Sequence, residues 1–416
     1  MKHLVFCLLS PFLLSFPVVR FLRIFVPLSL VAAAGIYSQT AVSQNSAGNA
    51  APITAKSATE KPATFRPALP GYKFAFPRDH GSHPDYQTEW WYFTGHLQSK
   101  EGRRFGYQAT WFRTAIIPSI AGRESKWAVR DIIFAHLALT DEETGEFYFD
   151  DRISRTTLKM AGATPGEDKV LPRVWLDDWS ARFAGDKGEK QILRAVGVHD
   201  TTRFALSLDT LAVKPPVLQG ENGVSQKSDG AGRASHYYSF TRLDTKGTIR
   251  INGEAFEVEG ESWFDHEFGS NQMSPQQTGW DWFSLQLEDG RELMLYQLRR
   301  TDGTIDPHSS GTLVERDGKS RHLKNAEFTI KPLATWRSAR SGGEYPSRWE
   351  VTLPREDITL QIEPTVADQE LDTTRSTNVN YWEGSVRVTG AQKGRPLAGQ
   401  GYVELTGYAG SLKSKF

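Results

Sequence analysis

Residues 89–97, EWWYFTGHL, carry two apolar series on one extended segment. Trp91, Phe93 and Leu97 fall on one face; Trp90, Tyr92, Thr94 and His96 fall on the other. The period of two predicts a strand, and aromatic side chains on both faces predict that neither is turned to water. Core filling accounts for one face, which leaves the other for a domain interface or a cavity. From about residue 72 onward the chain continues in this manner, with short apolar-aromatic runs ended by glycine turns. EDG at 288–290, RDG at 316–318 and NG at 252–253 are hairpin signals. Convincing amphipathic helices are scarce, so the pattern predicts an all-β chain.

The pattern also repeats. WWYFTGHL at 90–97 aligns without a gap to WDWFSLQL at 280–287, pairing Trp90 with Trp280, Phe93 with Phe283 and Leu97 with Leu287. HYYSFTRL at 236–243 leads to GESWFDHEFG at 260–269, as NYWEGSVRV at 380–388 leads to GQGYVELTGY at 399–408. Asp265 thereby aligns with Glu404. The duplication predicts two homologous β-domains, 72–269 and 270–416. Short strands joined by turns suit a closed antiparallel barrel or a strongly curved sandwich. Closure would set the EWWYF strand beside the SWFDHEF strand and bring Glu89, Asp265 and Glu267 to one rim.

Bulk composition narrows the choices. A chain of 416 residues exceeds one ordinary core. With 49 basic and 49 acidic residues it presents no electrostatic footprint for nucleic acid. The single cysteine, Cys7, lies in the N-terminal apolar region, which excludes disulfides, CxxC metal sites and a thiol nucleophile from the body of the protein. Cys7 also lacks the small-residue context of a lipoprotein signal. Residues 1–38 hold two apolar runs separated by Arg20 and Arg23, a pattern of a signal peptide or an N-terminal membrane anchor. Either places the working part outside the cytoplasm, periplasmic or secreted, or held at the inner membrane. Residues 39–71 open with QTAVSQNSAGNAAPITAKSATEKPAT, a polar tether with little to bury. A long Pro/Gly/Ser loop at 213–234 has the composition of a lid or a disordered segment.

Six motifs carry a family resemblance: HPDYQTEWWYFTGHL, KPPVLQGENGVSQK, HYYSFTRL, SWFDHEFGSNQ, GWDWFSLQLEDGRELMLYQLR and YWEGSVRVTG with GQGYVELTGY. Together they resemble AttH-type secreted lipocalin-like proteins, a group sharing a superfamily with carotenoid 1,2-hydratases and kievitone hydratase. The resemblance implies two tandem lipocalin-like (calycin) antiparallel β-barrels and a hydrophobic small-molecule ligand, a lipid, isoprenoid or polyene. By family analogy it also implies an export or ABC-transporter system as partner. The hydratases are similar to this chain in a His-x-aromatic pair and an aromatic-x-Asp pair, which fall here on His236, Tyr238, Trp263 and Asp265, with Asp265 as proton donor. The chain departs from them in having Tyr238, Trp263 and the run DHEFG, which favours the AttH branch.

The chemistry of such a site is acid catalysis. Adding water to an alkene needs a strong acid in a dry pocket and aromatic faces for the resulting cation. A carboxyl group buried among aromatics keeps its proton, and Asp265 lies among Trp263, Phe264 and Phe268. His236 would orient it or position the water. The structural alternative is an acid that only holds barrel hydrogen bonds, the role that Glu404 fits. Glu89 joins the same polar cluster or pairs with Arg113. Glu89, Trp91, His96 and Glu267 are the expected ligand-binding residues. His80, His83, Asp85 and Glu89 crowd together, as do Asp265, His266 and Glu267, but neither group has a paired-histidine metal spacing; no metal or cofactor is expected. Some family members are labelled hydrolases, yet no G-x-S-x-G elbow is present and Ser262 does not form one. Two readings follow, an extracytoplasmic ligand-binding protein and an acid-catalysed hydro-lyase or cyclase acting on such a ligand. A third is that the aromatic density only welds two barrels together.

Overall fold

The computed structural model describes residues 64–121, 125, 127–167 and 170–410. The expected signal or anchor, and all of the tether before residue 64, lie outside the described residues. Two antiparallel sheets make up nearly everything else. The first has 13 strands, running from Glu146–Arg155 at one edge to Ala161–Ala163 at the other; the second has 10, running from Ser320–Lys324 to Thr329–Arg337.

Each sheet curls into a near-barrel rather than a closed one. In the first, Thr88–Ser99, its first strand in sequence, pairs along its whole length with Glu254–Gly269, its last. The seam instead falls where Glu146–Arg155 approaches Lys190–His199 without a strand ladder. Side chains bridge it: Arg152 donates to the Val196 carbonyl at 2.8 Å, and the Val198 amide to Asp150 at 3.2 Å. The long strands Ala234–Ile251 and Glu254–Gly269 are joined by Asn252–Gly253, both at positive φ as a two-residue hairpin turn requires.

Three aromatic layers follow from the period of two. Inside the first near-barrel lie Trp91, Phe93, Trp111, Trp179 and Phe264. Inside the second lie Phe283, Trp349, Trp382 and Val403. Between the sheets lie Tyr92, Tyr237, Trp263, Trp282, Tyr296 and Tyr402. The even-numbered face of EWWYFTGHL therefore belongs to the space between the sheets.

The loop at 213–234 takes part in this junction. It contains two short strands, Val217–Leu218 and Val224–Gln226, both laid on Ala234–Ile251. Its Lys214 reaches Glu292 of the second sheet at 2.8 Å, where Arg242 of the first also binds at 2.7 Å.

Candidate functional site: a cavity between the sheets

Strand register decides which side chains meet. Asp265 stands opposite Tyr92 on one neighbour and Ser239 on the other, and Glu267 stands opposite Trp90 and Tyr237. All these residues share the outer face of the first near-barrel. There they meet Trp280, Trp282, Glu383 and Glu404 of the second sheet around a cavity of about 370 Å³. Aromatic walls with a few converging polar groups are the usual make-up of a small-molecule site.

Asp265 is buried, with both oxygens engaged. Oδ2 accepts from the Tyr237 hydroxyl at 2.8 Å; Oδ1 accepts from the Trp263 indole at 2.7 Å and from the Ser239 hydroxyl. Burial pushes its pKa up to about 7 against the pull of those three donors, and the charge of Glu267 adds to the rise. Glu267 differs in having a cation: Lys227, from the 213–234 loop, lies 3.0 Å away. The Lys227 ammonium also faces the rings of Tyr296 at 4.4 Å and Tyr237 at 5.4 Å.

The second sheet supplies two more carboxyls. Glu383 and Glu404 are direct cross-strand neighbours. Glu404 accepts from the Trp280 indole at 2.8 Å, and burial pushes it up to about 7, with Glu267 and Asp265 adding to the rise. Glu383 accepts from the Tyr92 hydroxyl at 2.6 Å; burial, then the neighbouring Glu404, raise its pKa well above the carboxylate range. Among the described residues no lysine, arginine or histidine forms an ion pair with Asp265, Glu383 or Glu404. The cavity thus holds three carboxyls that stay wholly or partly protonated at neutral pH.

Three of the expected site residues, His236, Tyr238 and Trp91, point elsewhere because their parity puts them on the inner face, and a fourth, His96, lies away from the cavity. His236 and Tyr238 stand opposite Phe268 and His266, on the far side of the sheet from Asp265. His236 stacks on Tyr72 at 4.4 Å, and burial pushes its pKa down to about 4. Trp91 is core: its indole donates to the His80 carbonyl at 2.9 Å. His96 lies on the outer face, but its Nε2 is 2.7 Å from the Gly401 carbonyl, tying the sheets together away from the cavity.

Glu89 borders the same cavity as Asp265 and Glu267, but its carboxylate does not join theirs. Its carboxylate turns inward, to Arg113 Nε at 2.9 Å, His83 Nδ1 at 2.7 Å and His266 Nε2 at 2.9 Å. Burial opposes its charge, but Arg113 and His83 hold the carboxyl well below its usual value. From His266 the network continues to the Tyr238 hydroxyl at 3.1 Å and on to His80 at 2.6 Å. His83, Glu89 and His266 bring three ligand-type atoms within 4.8 Å of one another. Each already binds another member of the network, and the guanidinium on Glu89 opposes a second cation there. This arrangement fits a structural hydrogen-bond network.

The repeat marked Trp90, shared as Trp280, for the core, whereas it lines the cavity; Tyr237, Lys227 and Glu383 were passed over, and Glu404 was given a purely structural part. The repeat held a signal for the last: Asp265 and Glu404 are matched positions, and both look into one cavity.

The AttH-like family model matches residues 67–408. The chain belongs to the AttH-like family. A crystal structure of an AttH protein from Nitrosomonas europaea is 37% identical, covering 83% of this chain and 99% of that one, with a TM-score of 0.73. Kievitone hydratase from Nectria haematococca is 15% identical over 84% of this chain and 98% of its own, with a TM-score of 0.61, a likeness of fold. Among curated proteins, none matches the chain significantly. The AttH-like fold is thus common to this chain and to a hydratase.

Proposed function

We propose that the cavity between the sheets binds an apolar, unsaturated small molecule, a lipid, isoprenoid or polyene, and that Asp265 protonates it. The observation that carries this reading is a buried carboxyl without a counter-ion, at about 7, on an aromatic-walled cavity. Such a group is protonated often enough to give up its proton and basic enough to take one back. In the proposed step the alkene π electrons form a new C–H bond with the Asp265 proton. The faces of Trp90, Tyr92 and Trp282 stabilise the adjacent cation. Water then attacks that carbon, and its surplus proton returns to Asp265, so the net change is addition of one water. Tyr237, Ser239 and Trp263 hold the carboxylate in place between the two transfers. That a hydratase has the same fold agrees with this assignment.

The carrier reading is favoured by one observation, that Asp265 already accepts three hydrogen bonds. The experiment separates the two. Lipids that co-purify with the native protein are identified by mass spectrometry, then incubated with wild type and Asp265→Asn. Hydrated product from wild type and none from the variant supports catalysis, whereas ligand retained unchanged by both supports a carrier. The same preparation tests the proposed extracytoplasmic location, since osmotic-shock and membrane fractions separate a released protein from an anchored one.

A further inference from the structure

Lys227 shows what one end of the cavity does with a charge. Its ammonium sits against the Glu267 carboxylate at 3.0 Å and over two tyrosine rings. The Glu383 end has the same ingredients without the cation. Glu383 and Glu404 lie side by side, and Tyr381, Trp280 and Trp282 line the same space.

Glu383 is fully buried, and its Oε2 has no hydrogen-bond partner. A second orphan, the buried Oε1 of Gln108, belongs to another residue lining the cavity. The Gln108 oxygen is an acceptor, Glu383 Oε2 becomes one when the carboxyl gives up its proton, and buried polar atoms are rarely left unpaired. What would satisfy them is a group that brings hydrogen-bond donors. An alkylammonium brings three and no acceptor, and it carries the charge that neighbouring carboxyls and aromatic faces attract.

We propose that the ligand is an amphipathic primary amine, its apolar body along Trp90 and Trp282 and its ammonium head on Glu383 and Glu404. This rests on the cavity being a ligand site, as proposed above. Binding would draw protons off the carboxyls: Glu383 faces Glu404, Asp265 and the Tyr92 hydroxyl, with no cation among them. The basic side chains that also line the cavity are engaged elsewhere, Lys227 with Glu267, Arg233 with the Met273 carbonyl at 3.3 Å and Arg113 with Glu89 and Asp131, while His136, 2.8 Å from the Tyr381 hydroxyl, is pushed down to about 4 by burial.

The test is calorimetric titration of the full chain with octylamine, octanol and octanoate, at about pH 8, where the amine is still charged. Octylamine is expected to bind at least about tenfold tighter than octanol, as charge-assisted hydrogen bonds imply. It should also release protons, seen as a heat that depends on the buffer, whereas octanol should not. Glu383→Gln should bring octylamine down to the octanol level. Should that variant not fold, the amine-to-alcohol ratio and the proton release of wild type still decide. Octanol or octanoate binding as tightly as octylamine, or a preference unchanged in a folded Glu383→Gln, overturns the amine assignment and leaves the cavity reading standing. Failure of all three to bind overturns both.

Discussion

The Tyr237 hydroxyl donates to Asp265 Oδ2 at 2.8 Å, and the indole of Trp282, from the other sheet, donates to that same hydroxyl at 3.2 Å. The ionisation of Asp265 is therefore tied to the docking of the two sheets. A donor to the carboxylate favours its charged form, so Tyr237→Phe should raise the Asp265 pKa above its present value of about 7. Carbon NMR of labelled aspartate carboxyls, followed through a pH titration, reads this directly. A midpoint that stays put or falls would show that the hydroxyl does not hold the charge.

Asp265 should make the protein less stable as pH rises. Its folded pKa of about 7 lies above the unfolded value, so the folded state binds more protons between the two. Stability from this group is complete below about pH 4 and is lost as pH climbs to about 7, each pH unit being worth about 1.4 kcal/mol. Asp265→Asn removes the titration and keeps an acceptor for Ser239 and Trp263, with its amide nitrogen donating to the Tyr237 hydroxyl. Calorimetric melting across that range should show wild type losing more Tm than the variant, with the variant the more stable near neutrality.

Glu89 should behave in the opposite sense, though it lies on the strand next to Asp265. Its folded pKa is depressed, so its contribution is present above the unfolded value of about 4.3 and is lost as pH falls. Arg113→Met leaves that carboxylate buried without its guanidinium, at a cost of about 3 kcal/mol or more near neutral pH. Denaturant unfolding should find that difference shrinking only as pH falls well below about 4, through the depressed folded pKa at which Glu89 takes up its proton.

Lys227→Met should destabilise by about 3 kcal/mol, because it strands the Glu267 charge among tyrosines. Adding Glu267→Gln should restore most of that loss. A double mutant as unstable as the single would mean that Lys227 acts through packing alone.

The strand pairing of EWWYF with SWFDHEF was legible, because a duplicated pattern marks the first and last long strands of each sheet in chain order. That one aromatic face fills the core was legible too, but not which tryptophan belongs to it: Trp91, expected at the ligand, is core, and Trp90 is at the junction. What could not be read was which neighbours shared the Asp265 face. A strand reports its own parity but not the register of its partner, and a shift of one would have put His236 and Tyr238 beside Asp265. Lys227 was hidden in a loop, where no periodicity points inward. Glu383 looked like an ordinary polar position in NYWEGSVRV, since only the first sheet's approach, with Tyr92, covers it.

The strand Thr88–Ser99 is a shared wall, with alternate residues furnishing two separate interiors. Substitution and insertion therefore have different evolutionary prospects. Changes at Trp90 or Tyr92 can alter what the cavity accepts while Trp91 and Phe93 go on filling the barrel. One inserted residue would exchange the two sets at once, presenting Phe93 to the cavity and Tyr92 to the barrel core. The lining of the cavity is free to drift by replacement, but the length of the strand is not.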